Sequence, residues 1–313
     1  LGLLPVLLAA VTLVMFALAQ ATPFDPVLAA LGERALTMDG ATLEAMRERA
    51  GDTSALQQWA TWWGHALTGD LGVSTSQRQP VATVILDRLP WTLGLMAAAL
   101  LLAVVLGTFV GAWAGTRPGS LPDALVGGTM LSLQAAPAFW LGLVAVWIFA
   151  VLLGWLPTAG ATSLSADGVH ALDVARHAVL PVSVLALSQM PWFALVVRDA
   201  TRDALAGPAV RGAWARGIPL PALLRDHAVR PSLLPLVTVI GVRVPELITG
   251  AVLVETVFSW PGVAVATVES ATRLDFALLA ALTVITTVLV VLGNLAADLV
   301  YRLVDPRVGA TDG

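Results

Sequence analysis

The sequence predicts an all-α polytopic membrane protein, with six transmembrane helices and a small extracytoplasmic insert. Of its 313 residues, 58% are hydrophobic and only 12% are charged, where a soluble domain keeps roughly a quarter charged. Mean hydropathy is +0.84. The apolar residues gather into runs long enough for a hydrocarbon core of about 30 Å, which takes about 20 helical residues to cross. The longest polar stretch lies between positions 21 and 89.

Leu1–Gln20 carries no charge and supplies the first span, residues 1–20. Its Ala17-Leu18-Ala19 also suits an A-x-A cleavage site, but the apolar run exceeds a signal core and a retained helix is expected. Residues 21–89 hold eight acidic residues, five arginines and the turn formers Pro23, Pro26, Gly69-Asp70 and Gly72. Apolar residues around Thr42–Arg49 and Ala55–Leu67 recur at helical spacing, so this stretch reads as a small extramembrane subdomain rather than a linker. The core, 90–313, holds five further spans: Trp91–Thr116, Ala124–Leu153, His177–Val197, Ser232–Val254 and Phe276–Tyr301. Ala124–Leu153 is overlong and contains Pro137, which predicts one kinked and tilted helix.

Arginine placement orients the chain. Long loops are exempt from the positive-inside rule, so 21–89 is not counted. Among the short connections, one side carries Arg117, Arg198, Arg202, Arg211, Arg216, Arg225, Arg230, Arg302 and Arg307, and the other only Arg176 and Arg273. The first side is therefore expected to be cytoplasmic, with both termini inside and the insert outside.

Several chemistries are excluded by what is missing. There are no cysteines, so disulfides and thiolate chemistry cannot occur. All seventeen basic residues are arginine, and a nucleotide-binding P-loop needs a lysine to reach the phosphates. Neither H-E-x-x-H nor G-x-S-x-G occurs. His65, His170, His177 and His227 are dispersed without metal-ligand spacing. A net charge of −4 and the lack of a basic stripe exclude nucleic acid as a partner. The bilayer is the partner that composition demands.

Two places carry positive signals. In the expected cytoplasmic loop 198–231, the breakers Gly207-Pro208 and Gly217-Ile218-Pro219 bracket a short helix, Ala209–Arg216. Such a helix suits docking into a partner's groove, with Val210, Ala213 and Trp214 as apolar contacts. Packing of Trp214 against the membrane surface is the alternative. In the fifth span, Arg243 and Glu246 sit at i, i+3 around Pro245. Ionisable groups at membrane depth mark a functional site or an internal pair, and this spacing lets them neutralise one another. They either line a translocation path or face a partner subunit.

Val210-Arg211-Gly212-Ala213-Trp214-Ala215-Arg216-Gly217, with Leu223-Leu224-Arg225-Asp226-His227-Ala228-Val229-Arg230 and Leu233-Leu234-Pro235, resembles the "EAA" loop of ABC importer permeases. The branch it is most similar to imports dipeptides, oligopeptides and nickel, and carries a large external insert after the first helix. Gly69-Asp70-Leu71-Gly72 with Ser74, Arg88-Leu89-Pro90 with Thr92, and Pro137 with Phe139-Trp140-Leu141-Gly142 match successive parts of that pattern. So do Glu255-Thr256-Val257-Phe258-Ser259-Trp260-Pro261-Gly262 and the ending Asp298, Tyr301, Asp305-Pro306-Arg307. The chain departs from it at Arg216, where lysine is usual, and at Pro208-Ala209, Trp214 and Pro231. Arg243 and Glu246 stand where the family usually has uncharged residues.

The resemblance implies a type I ABC importer permease fold in the bacterial cytoplasmic (inner) membrane. It implies a second homologous permease subunit as pore partner, and two ATP-binding subunits or a fused pair on the cytoplasmic loops. It also implies an extracytoplasmic solute-binding protein. ATP and Mg would be bound by the partner subunits, with no cofactor or metal in this chain. By the same resemblance, Ala209, Val210, Arg211, Ala213, Trp214, Ala215, Arg216 and Gly217 form the coupling helix, with Gly217 placed for a positive φ or a close backbone approach. Peptides are the expected cargo, with nickel, a metallophore complex or a glutathione-like solute as alternatives. A stand-alone secondary transporter is a competing class, but it would call for acidic residues in several spans, and Glu246 is nearly alone.

Overall fold

The computed structural model describes residues 4–21, 38–42, 44, 54–163 and 170–304. In chain order its helices are α1 (Leu4–Ala21), α2 (Ala55–Ala66), α3 (Val81–Gly115), α4 (Leu121–Ala135) and α5 (Ala138–Ala145). The last runs on as a π-helical stretch, Val146–Leu152. Then come α6 (Ala171–Ala206), α7 (Pro208–Ala215) and α8 (Leu220–Leu223), which passes through π-helical Leu224–Val229 into α9 (Arg230–Phe258). α10 (Val263–Thr272) and α11 (Phe276–Val304) complete the chain. No strand occurs among the described residues, where Val73 and Pro80 make an isolated bridge.

Five helical stretches are long and apolar enough to cross a membrane, and α4 with α5 and its π-helical extension makes a sixth, bent by 103°. The expected kink at Pro137 is thus a sharp break. Proline disfavours helical backbone in the residue before it, and Ala136 accordingly sits at φ −79, ψ 128, with Pro137 as the N-cap of α5. The spans outrun their apolar runs. α3 starts at Val81 rather than near Trp91, and α6 occupies 36 residues, roughly 54 Å at 1.5 Å per residue. Ala55–Leu67 appears as α2, while most of the pattern over 42–49 lies outside the described residues. The side chains of Asp298 and Tyr301, and residues 305–307 altogether, also lie outside them.

The chain divides into two compact units. One joins Leu1–Thr92 to Pro261–Val291, and the other joins Leu93–Trp260 to Leu292–Gly313. In the first, Val81, Val84, Ile85, Val263, Ala266, Leu278, Ala281 and Leu282 form the core, with Trp62, Leu71 and Leu89 against it. α2 is fastened to α1 by indoles: Trp59 and Trp63 donate Nε1–H to Thr12 Oγ1 at 2.9 and 3.0 Å. The Thr12 hydroxyl in turn donates to the Leu8 carbonyl at 2.7 Å. Helix α2 therefore packs alongside α1 at Thr12.

Asp275, fully buried just before α11, ties the end of the polar stretch to that helix. Its Oδ2 accepts Ser74 Oγ–H at 2.6 Å, Ser76 Oγ–H at 2.8 Å and the Ser76 amide at 3.0 Å. Oδ1 accepts the Leu278 amide at 3.3 Å. Burial works against ionisation, but these hydrogen bonds outweigh it and hold the carboxyl below its ordinary value. A depressed carboxyl stabilises the fold fully above its unfolded value of about 3.9 and loses that contribution as pH falls through the folded one. Asp275→Asn is expected to cost about 2 kcal/mol or more. It should also flatten the fall in thermal stability below about pH 4, as read by melting the purified protein across pH.

In the second unit α6 packs against α9 and α4, and Leu185, Phe193, Leu247 and Phe258 are buried. α3 meets α6 through a stripe of glycines. A Cβ on Gly107 would lie 2.9 Å from Phe193 Cβ, and one on Gly115 2.6 Å from the Arg198 carbonyl oxygen. One on Gly111 would fall on the Ala194 carbonyl. Helices approach this closely in lipid because small residues four apart let dispersion act between backbones. At the end of α6, Arg198 Nε donates to Asp123 Oδ1 at 2.6 Å, and the Gly119 amide donates to Oδ2 at 2.9 Å. The turn leading into α4 is thereby fixed to the base of α6.

Candidate coupling helix and intramembrane ion pair

Both clusters anticipated from the sequence form in the second unit. α7 begins one residue after α6 ends. Gly207, extended at φ −74, ψ 162, closes α6 and caps α7, and Pro208 takes the first helical position, where its missing N–H has no intrahelical partner to lose. At the other end the Gly217 amide donates to the Trp214 carbonyl at 2.9 Å and the Ile218 amide to the Ala213 carbonyl at 3.2 Å. This double closure is a Schellman motif. It requires a left-handed residue after the C-cap, and Gly217 supplies φ +74 with open space around it. The positive-φ use of Gly217 is the one the chain makes.

The helix has two faces. Val210 and Ala213 are buried with Leu223 against Leu205, Ile218 and Leu224. The apolar contacts expected of Val210 and Ala213 toward a partner are therefore made within the chain. Helical periodicity explains this: 210, 213 and 217 share the side that the Schellman turn folds Ile218 back upon. Ala209, Arg211, Trp214, Ala215 and Arg216 point outward. Trp214 is 67% exposed and lines a groove of about 420 Å³ with Leu205, Val210, Arg211, Ala215, Leu220 and Leu223. A large exposed indole over an apolar groove, flanked by arginines, has the composition of an interface anchor.

Arg243 and Glu246 form the expected i, i+3 ion pair in α9, through Nη1 and Oε2. The two halves differ. Arg243 is 8% exposed and Glu246 has a side chain 55% exposed. Two groups that sequence spacing could not reveal hold the arginine. Gln189 Oε1 accepts from Nε at 3.3 Å and Nη2 at 3.2 Å, and the guanidinium lies 4.2 Å over the Trp192 ring. Both come from α6, and the only hint in the sequence is that Gln189 and Trp192 are themselves polar-tipped residues at i, i+3 in an apolar span.

The chain matches the family described as binding-protein-dependent transport system inner membrane component over residues 103–310. It is 35% identical to the oligopeptide transport system permease protein AppB of Bacillus subtilis, across 97% of this chain and 96% of that one. It is 34% identical to the di/tripeptide transport system permease protein DppB of Pseudomonas aeruginosa, across 98% and 96%. In fold it is similar to the inward-facing MetNI methionine ABC transporter, with TM-score 0.55 at 18% identity over 71% of this chain and 96% of that one. An amino acid ABC transporter gives TM-score 0.51 at 14% identity over 71% and 94%. The glycine-laced α3–α6 contact, the broken third span and the capped α7 thus sit on a type I ABC importer permease fold, and the chain belongs to the inner membrane components of binding-protein-dependent transport systems.

Proposed function

We propose that this permease forms half of the translocation pathway of an ATP-driven peptide importer. It pairs with a second, homologous permease, and two ATP-binding subunits or a fused pair dock on α7. A solute-binding protein delivers cargo on the opposite side of the membrane. The observation that carries the reading is the two-faced α7: its inner face is locked into the chain and its outer face presents Trp214, mostly exposed among the described residues. A helix so fixed moves with α6 and α9 when its partner moves, which is what coupling requires. Peptide as cargo rests on the relatives, whose names specify oligopeptides and di/tripeptides. The arginine bias supports both termini and α7 on the cytoplasmic side of a bacterial inner membrane, with 21–89 outside.

Affinity purification of the tagged permease from gently solubilised membranes tests this assembly. The expected result is a stoichiometric complex with a homologous permease and subunits bearing Walker motifs. Recovery of a homo-oligomer alone would count against it.

A further inference from the structure

The asymmetry of the α9 ion pair points to a ligand for its open side. Arg243 is held within the fold: Gln189 accepts from Nε and Nη2, Glu246 pairs with Nη1, and Trp192 covers a face of the guanidinium. At 8% exposed, it offers an incoming carboxylate little access. Glu246 is oriented by the same arrangement yet remains mostly open. The pair is thus a fixed dipole whose positive end is buried and whose negative end faces out.

Glu246 lies near the middle of α9, and hydrocarbon against an open carboxylate at that depth would be disfavoured by on the order of a hundredfold. The exposed positions around it recur at helical spacing as Val242, Glu246, Thr249, Leu253 and Thr256, a stripe on which Glu246 is the one charge. We infer that Glu246 is a relay site for a protonated amino group of the cargo, with Arg243, Gln189 and Trp192 as its positioning residues. This rests on the reading of the chain as a peptide permease, since every unblocked peptide carries an α-ammonium. The partial neutralisation by Arg243 keeps such a contact weak, and a transport path needs sites that a solute can leave.

The absence of cysteine makes the site directly accessible to test. Thr249→Cys places the sole thiol of this sequence one turn from Glu246 on the exposed stripe. In the assembled transporter in proteoliposomes, its modification is timed with a cationic trimethylammonium-ethyl and an anionic sulfonato-ethyl methanethiosulfonate. Each rate is normalised to a small free thiol. The cationic reagent is expected to be favoured by about tenfold or more, a preference kept by Glu246→Asp and lost in Glu246→Gln. Equal rates, an anionic preference, or no reaction with either water-soluble reagent would overturn the proposal, the last because the stripe is then covered by lipid or the second permease. Uptake of a labelled dipeptide by the unaltered assembly is measured in parallel. A retained cation preference without dipeptide uptake would remove the peptide and leave the cation site supported.

Discussion

Replacing Gly111 with leucine is expected to prevent the second unit from folding. The position is helical, so the backbone itself would accept leucine. The obstacle is across the contact, where even a Cβ would fall on the carbonyl of Ala194. Carbonyl groups of a buried helix cannot retreat without moving the whole of α6. Overpacking a core usually costs about 1–3 kcal/mol, and here the clash is with backbone and is flanked by equally tight contacts at Gly107 and Gly115. A loss above about 3 kcal/mol is a large part of a typical 5–15 kcal/mol stability. The measurable outcome is loss of monodisperse protein after solubilisation. Gly94→Ala is the control, because nothing lies within 4 Å of its added methyl. It should be neutral or stabilising by up to about 1 kcal/mol.

Trp214→Ala and Ala213→Leu are expected to fail in opposite ways, although the residues are adjacent. Trp214 is 67% exposed, so its removal should leave thermal stability within about 0.5 kcal/mol. Its loss should weaken association of the ATP-binding subunits by about 2 kcal/mol, near thirtyfold, as for a central aromatic anchor. Ala213 is fully buried, and leucine there should destabilise the permease itself by about 1–3 kcal/mol. Thermal melts and binding titrations of the two variants separate the faces of α7. A stable Trp214→Ala permease that binds its ATP-binding subunits normally would move the docking site elsewhere.

These residues also show what a linear sequence can and cannot disclose. The bracketing of α7 was readable because its signals are local: Gly207-Pro208 and Gly217 act through backbone geometry within a few residues. The Arg243–Glu246 pair was readable for the same reason, at i, i+3 on one helix. The Gly107, Gly111, Gly115 spacing is a small-xxx-small pattern in an apolar run, which hydropathy alone does not separate from an ordinary span. Hydropathy marks where lipid is, not where a helix ends, so α3 and α6 extend past the boundaries expected for them. Contacts between distant segments carry no local signature at all. Ser74 and Asp275 lie 201 positions apart, and Gln189 and Arg243 are separated by 54. Periodicity within α7 puts Val210 and Ala213 on one face, but that this face is covered by Leu223, Leu205 and Ile218 of the same chain carries no signal inside the helix.

The central claim is that this chain supplies a pathway and that partner subunits supply the energy. Uptake of a labelled dipeptide into proteoliposomes tests it most directly, using the complete assembly with its solute-binding protein and ATP on the side of α7. Uptake is predicted to require ATP and to vanish when the ATP-binding subunits are omitted, whatever proton or sodium gradient is imposed. Gradient-driven accumulation by this permease alone would contradict the account.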